Sequence, residues 1–174
     1  MTVWAVRDIE PGEEITITYS ATGMPSKERQ ETLEKVWGFK CQCSLCVSSP
    51  EVLNASDTRR ERIRSLREEV ITLAQQGEFN KAVQSAETLF KLVEEEGLTE
   101  QMGDMYEVPA RLYYHVGNLE KALELARKVK SEIDAHGPPG KLETEKIKMM
   151  EAVIKRIEQE IRDKKEKADG NDDD

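Results

Sequence analysis

The chain has 174 residues, of which 35% are charged, 37% hydrophobic and only 5% aromatic. That length holds one domain or two small ones, and heavy charge with few aromatics favours solvent-faced helices over a deep β-core. Lys and Arg number 26 against 35 Asp and Glu, a formal charge of −9, which argues against non-specific binding to nucleic-acid phosphates; no stretch approaches the ~20 apolar residues of a membrane span.

The opening, MTVWAVRDIEPGEE, has no apolar run after its start and carries acids early, unlike a secretory signal. Val3, Trp4 and Ala5 begin a short apolar run, and residues 8–12 (DIEPG) form a turn. Gly12 behind Pro11 suits a type II turn, which needs a positive φ after a residue of fixed φ. Residues 14–19 (EITITY) alternate with period 2 and are rich in β-branched side chains, which predicts a strand. Two strands do not make a stable sheet, and nothing further along supplies a partner.

A short helix is predicted over 24–36, with Ser26 at its entry as a cap and Arg29, Leu33 and Val36 at helical spacing. A cysteine knuckle follows, then a Ser- and Pro-containing linker over 47–56, after which Asp57 or Thr58 is placed to cap a long helix.

From there to Ala168 the pattern is helical and repeats. GEFNKAV at Gly77 matches GNLEKAL at Gly117, with Gly, Lys and Ala identical at an offset of 40 residues. Gly ends one helix, Phe79 or Leu119 plugs the turn, and Ala82 or Ala122 permits close approach of the paired helix. These are marks of a tetratricopeptide-like (TPR-like) helix–turn–helix, although its usual period is about 34 residues; the longer offset implies longer helices, a degenerate repeat, or both. The run Glu94-Glu95-Glu96 reads as a solvated helix end, Met149-Met150 as core filler, and His115 and His136 as residues near helix C-termini that favour the dipole. Residues 137–140 (GPPG) break the pattern. A last helix then places Ile147, Met150, Ile154, Ile157 and Ile161 on one face, in a segment (141–168) with nine basic and seven acidic residues, and the tail 169–174 is expected to be disordered.

Cys41-Gln-Cys43-Ser-Leu-Cys46 is the sharpest chemical signal. Three cysteines cannot form an even disulfide framework and point to a reducing compartment. Three thiolates in six residues can wrap one tetrahedral ion, and soft sulfur ligands favour zinc. The alternatives are small buried hydrophobes or a redox pair, but polar Gln42 and Ser44 interleave and C-x-C-x2-C differs from the C-x-x-C redox arrangement. A structural zinc takes four ligands, and no further cysteine is present.

The order GEEITITY, then SKERQETLEKVWGF, then CQCSLC resembles the end of a SET domain joined to its post-SET zinc knuckle, most closely in the SMYD branch (SET-and-MYND) of protein-lysine methyltransferases. In that family a TPR-like helical domain follows the knuckle. The resemblance therefore implies a mainly α chain: a short β remnant of a SET domain over 1–36, a post-SET Cys knuckle over 37–50, an antiparallel TPR-like helical repeat domain over 57–168, and an acidic tail over 169–174. It implies that Tyr19, closing the ITITY strand, is the catalytic tyrosine of the lysine channel, and that Phe39 packs on the adenine of S-adenosylmethionine; an ordinary core position is the other reading of Phe39, and Trp37 beside it could share either role. Cys41, Cys43 and Cys46 would be ligands to structural zinc.

The family's glycine-rich cofactor segment, its Asn-His motif with the fourth zinc cysteine, and its MYND finger have no counterpart in this sequence. The expectation is thus the C-terminal portion of an S-adenosylmethionine-dependent protein-lysine methyltransferase, incomplete and inactive as these 174 residues alone. Its substrate would be a lysine of a histone or another protein, with no direct nucleic-acid or membrane partner, in the nucleus or cytoplasm. The alternative is a non-catalytic TPR-like protein-interaction module carrying a vestigial SET remnant.

Overall fold

Gly77, Gly97 and Gly117 each stop a helix in the same way. Each has a positive φ, of 76°, 67° and 79°. In each case the following N–H reaches back five residues, Glu78 to Leu73, Leu98 to Val93 and Asn118 to Tyr113, all at 2.9 Å. These are Schellman stops, which a residue lacking Cβ enters without strain. In the computed structural model, which describes residues 8–15, 17, 19–21, 23–98, 106–135 and 141–169, they punctuate a mainly α fold. Six helices are present among the described residues: α1 (Ser26–Trp37), α2 (Pro50–Gln75), α3 (Phe79–Glu95), α4 (Glu107–His115), α5 (Leu119–Ala135) and α6 (Lys141–Asp169). α3 has 17 residues and α4 nine, and residues 99–105 between them lie outside the described residues.

There is no strand among the described residues. Glu14, Ile15, Ile17 and Tyr19 carry no ladder to another described residue; Thr16 and Thr18 lie outside the described residues, as do Val3, Trp4, Ala5, His136, the GPPG break and tail residues 170–174. The turn before them has the expected form: Gly12 has φ 89° and the Glu13 N–H donates to the Glu10 carbonyl at 3.0 Å.

The helix starts differ from their prediction. α2 begins at Pro50, not at Asp57 or Thr58, so 50–56 is helix and not linker. Pro has no N–H to leave unsatisfied in a first turn and its φ is already helical; Ser49 before it accepts the Leu53 N–H on its carbonyl at 3.0 Å. Asp57 is thereby free to cap a different helix. Its carboxylate accepts the Ser26 backbone N–H at 2.7 Å and the Ser26 hydroxyl, placing negative charge at the N-terminus of α1. Ser26 therefore is not the side-chain cap the sequence suggests, and Pro25 holds the N-cap position.

The chain divides into two compact units. The first comprises residues 1–72 and 85–99. Leu33, Ile63, Leu66, Val70, Ala86, Leu89, Val93 and Leu98 are buried in it, together with Ser56, Arg29 and Arg60. Glu96 corrects the expectation of a solvated acidic run. The turn at Gly97 directs its side chain inward, where it is 3% exposed, pairs with Arg59 at 2.7 Å and Arg60 at 2.8 Å, and accepts the Ser56 hydroxyl.

The second unit comprises residues 73–84 and 100–174. Its core joins Ala110, Tyr113, Leu119, Ala122, Leu125, Ala126, Val129, Met150 and Ile157. Ala82 and Ala122 are fully buried, as close helix approach requires, whereas Met149, beside core Met150, is exposed. Phe79 covers its turn by stacking on the His115 ring, with centroids 4.4 Å apart and planes 5° from parallel. Because interiors pack without slack, Ala122→Leu is expected to cost at least 1–3 kcal/mol by overpacking, read as a lower thermal midpoint, with Glu120→Leu on the exposed face close to wild type.

Candidate functional site

The site is laid out by α1 and its stop, within the first unit. Gly38 takes a left-handed conformation (φ 74°) and its N–H donates to the Glu34 carbonyl at 3.1 Å. The chain turns sharply after Trp37, and Phe39 comes to face Tyr19. The Tyr19 ring stands edge-on to both aromatics, with centroids 5.3 Å from Trp37 and 5.5 Å from Phe39. The Trp37 indole N–H donates to the Tyr19 carbonyl at 3.1 Å. All three rings keep 40–54% of their surface exposed, which leaves an aromatic surface able to take a flat or cationic group.

Two residues further on, the cysteine knuckle is clamped to α1. The Gln30 side-chain amide donates to the Cys41 carbonyl and accepts from the Cys41 N–H, both at 2.9 Å. A turn then closes through the Val47 N–H to the Cys43 carbonyl (3.1 Å), and the Ser48 hydroxyl caps the Leu45 carbonyl at 2.7 Å. The result is that the sulfurs of Cys41, Cys43 and Cys46 all lie within 4.8 Å of one another. A tetrahedral ion with sulfur ligands at ~2.3 Å sets its sulfurs roughly 3.8 Å apart, so the cluster fits a metal ion with small side-chain adjustment. All three cysteines are free thiols.

The thiols are electrostatically unequal. The Cys43 N–H, which donates to the Cys41 sulfur at 3.5 Å, favours the Cys41 thiolate, but burial and the neighbouring sulfurs outweigh it and raise that thiol. Burial acts against the Cys43 thiolate as well, yet the Cys46 N–H and the two flanking thiols carry it below the usual range. Ligation by sulfur requires the thiolate, which the surroundings of Cys43 favour.

The knuckle also has a cationic neighbour. Arg29, buried on the inner face of α1, points one arm of its guanidinium at the Cys46 sulfur (3.3 Å) and another at the Met24 carbonyl (2.8 Å). Sequence reasoning assigned no function to Arg29 or Gln30. The signal for Arg29 was visible as a charged residue on the apolar spacing of Leu33 and Val36; Gln30 had none, because its partners are backbone groups that only the fold brings near.

No family model matches the chain. It is similar to the histone-lysine N-methyltransferase set5 of Schizosaccharomyces pombe, 47% identical over 64 residues, which is 36% of this chain and 20% of that protein. It is likewise similar to human histone-lysine N-methyltransferase SMYD3, 50% identical over 42 residues (24% of this chain, 10% of that one), and to SET5 of Scheffersomyces stipitis, 40% identical over 50 residues (29% and 10%). Part of the chain is homologous to SET-type histone-lysine methyltransferases. The match spans a fifth or less of each relative's length. With the cysteine cluster, these homologies bear out the SET/SMYD resemblance and the post-SET character of the knuckle, and the six helices bear out the mainly α fold. Among the described residues, no helix is long and apolar enough to cross a membrane.

Proposed function

We propose that the chain is the C-terminal portion of an S-adenosylmethionine-dependent protein-lysine methyltransferase, in which Tyr19 orients the substrate amine, Phe39 walls the cofactor pocket and the three cysteines hold zinc. The observation that carries this reading is the meeting of Tyr19 and Phe39, 20 residues apart in sequence, at 5.5 Å and beside a cysteine cluster. The cofactor supplies an electrophilic methyl on a sulfonium. Phe39 offers it an exposed ring for the adenine face. The Tyr19 hydroxyl would accept from or donate to the lysine amine and hold it on the line of attack, where positioning is worth much of the rate. Trp37 keeps the Tyr19 backbone in place through its indole hydrogen bond.

The substrate class is a lysine-bearing protein, and the compartment is the nucleus or cytoplasm. A second reading, as a helical protein-interaction module, is favoured by one feature: the second unit has its own buried core and contains none of the candidate site residues. Titration of S-adenosylmethionine into a chimera that joins these residues to the preceding part of a relative's catalytic domain separates the two. Binding in the micromolar range supports a cofactor site, and no heat and no competition with an adenosine analogue support the module.

Zinc is the ion the thiolate set favours. With three sulfurs and no fourth protein ligand among the described residues, the chain is expected to bind one zinc but to yield it to a mild chelator during gel filtration. Thiol titration should then count three reactive cysteines in the stripped protein and fewer in the loaded one. Stoichiometric zinc that survives the chelator would reveal a fourth ligand in the chain.

A further inference from the structure

A buried arginine beside a thiolate cluster is an expensive arrangement unless its charge is used, since a guanidinium sheds water poorly without a partner. Arg29 is 8% exposed. Its guanidinium donates to the Cys46 sulfur at 3.3 Å and to the Met24 carbonyl at 2.8 Å. The Met24 carbonyl is held from a second side by Arg60 at 3.3 Å, and Arg60 is anchored on Glu96. The guanidinium is therefore fixed at both ends, one arm on a rigid backbone acceptor and the other on a sulfur of the metal cluster. Each thiolate brings a negative charge to the ion, so a three-sulfur zinc centre carries excess negative charge that a cation in contact with one sulfur offsets.

We propose that Arg29 is a positioning residue of the metal centre, holding Cys46 in ligating orientation and compensating the charge of its thiolate, and that it sets the zinc affinity of the cluster. The inference rests on the reading of the cysteines as zinc ligands. The geometry selects Arg over Lys. A planar fork serves two acceptors in different directions, whereas a single ammonium on a shorter stem reaches one of them. Partners outside the ligand shell that orient a ligand are typically worth about 10–100-fold in metal affinity.

The test compares the full chain with Arg29→Met, Arg29→Lys and Arg60→Met. Zinc affinity is measured by competition with a chromophoric chelator, and the sulfur-to-metal charge-transfer band is recorded on the cobalt(II)-loaded proteins. Arg29→Met should lose about 10–100-fold in zinc affinity and shift the cobalt band to lower energy, because a thiolate relieved of an N–H donor gives up electron density more readily. Arg29→Lys should fall between Arg29→Met and the parent. Arg60→Met should lower the melting temperature and cost clearly less zinc affinity than Arg29→Met, since Arg60 bonds Glu96, the Ser56 hydroxyl and the Met24 carbonyl and so acts on Cys46 through Arg29. Should Arg29→Met fail to fold, the cobalt band of Arg29→Lys decides: a shift supports the proposal and an unchanged band overturns it. Equal zinc affinity in Arg29→Met and the parent also overturns it, as does an equal loss in Arg60→Met, which would mean general loosening. A parent chain that takes up no zinc overturns the metal reading as well, so the two failures are distinguishable.

Discussion

Glu96→Gln is expected to destabilise the first unit by about 3 kcal/mol, at the lower end of what breaking a buried ion pair costs. The carboxylate is 3% exposed and takes Arg60, itself only 7% exposed, at 2.8 Å. Gln keeps the shape and one acceptor but removes the carboxylate charge that faces the buried guanidinium. The Arg59 contact adds less, because Arg59 is about a third exposed at 34% and water screens it. For a chain of this size, that loss corresponds to a melting-temperature drop of roughly 6–12 °C. The double variant Arg60→Met/Glu96→Gln should recover part of it, since removing both charges ends the desolvation penalty. Thermal unfolding followed by circular dichroism checks both. A single variant within about 2 °C of wild type would mean that the pair is held in place by the fold and contributes nothing to it.

Glu96 also shows where the sequence stops being legible. The repeat was readable because glycine, a turn-plugging apolar residue and alanine are each demanded by local geometry, and the Schellman stops at Gly77 and Gly117 follow from that. At Gly97 the sequence shows a helix end but not the burial of Glu96, because the arginines that bury it lie 36 and 37 residues earlier. The same limit explains the cap at Asp57, an acceptable helix start whose role is decided by Ser26, 31 residues away. At the candidate site, cysteine spacing alone pointed to a metal cluster, because three ligands within six residues need no tertiary information. The resemblance gives Tyr19 and Phe39 separate roles, and their contact with each other and with Trp37 is not legible, because nothing in composition or periodicity brings residues 19 and 39 together. Their proximity depends on α1 and on the left-handed turn at Gly38.

Tyr19→Phe should reduce methyl transfer by on the order of 10²-fold or more, with little change in cofactor affinity. The measurement requires a chimera that joins these residues to the preceding part of a relative's catalytic domain, because the match covers a fifth or less of each relative. The substitution deletes one oxygen. The phenyl ring left at that position would keep its edge contacts with Trp37 and Phe39, and the Trp37 hydrogen bond is to the backbone carbonyl there and survives. Packing is thus preserved, and a loss of turnover reports the hydroxyl itself. Phe39→Ala should behave in the opposite sense, since it removes an exposed stacking surface and raises the cofactor dissociation constant while saturating cofactor restores much of the rate. Trp37→Ala offers a third signature, because losing the indole hydrogen bond frees the Tyr19 backbone and should lower kcat without a matching change in cofactor binding. A radiolabelled methyl-transfer assay on a lysine peptide, with cofactor binding measured separately, distinguishes the three. Full activity in Tyr19→Phe would remove the catalytic assignment, and unchanged cofactor affinity in Phe39→Ala would leave that ring a structural neighbour of Tyr19 and nothing more.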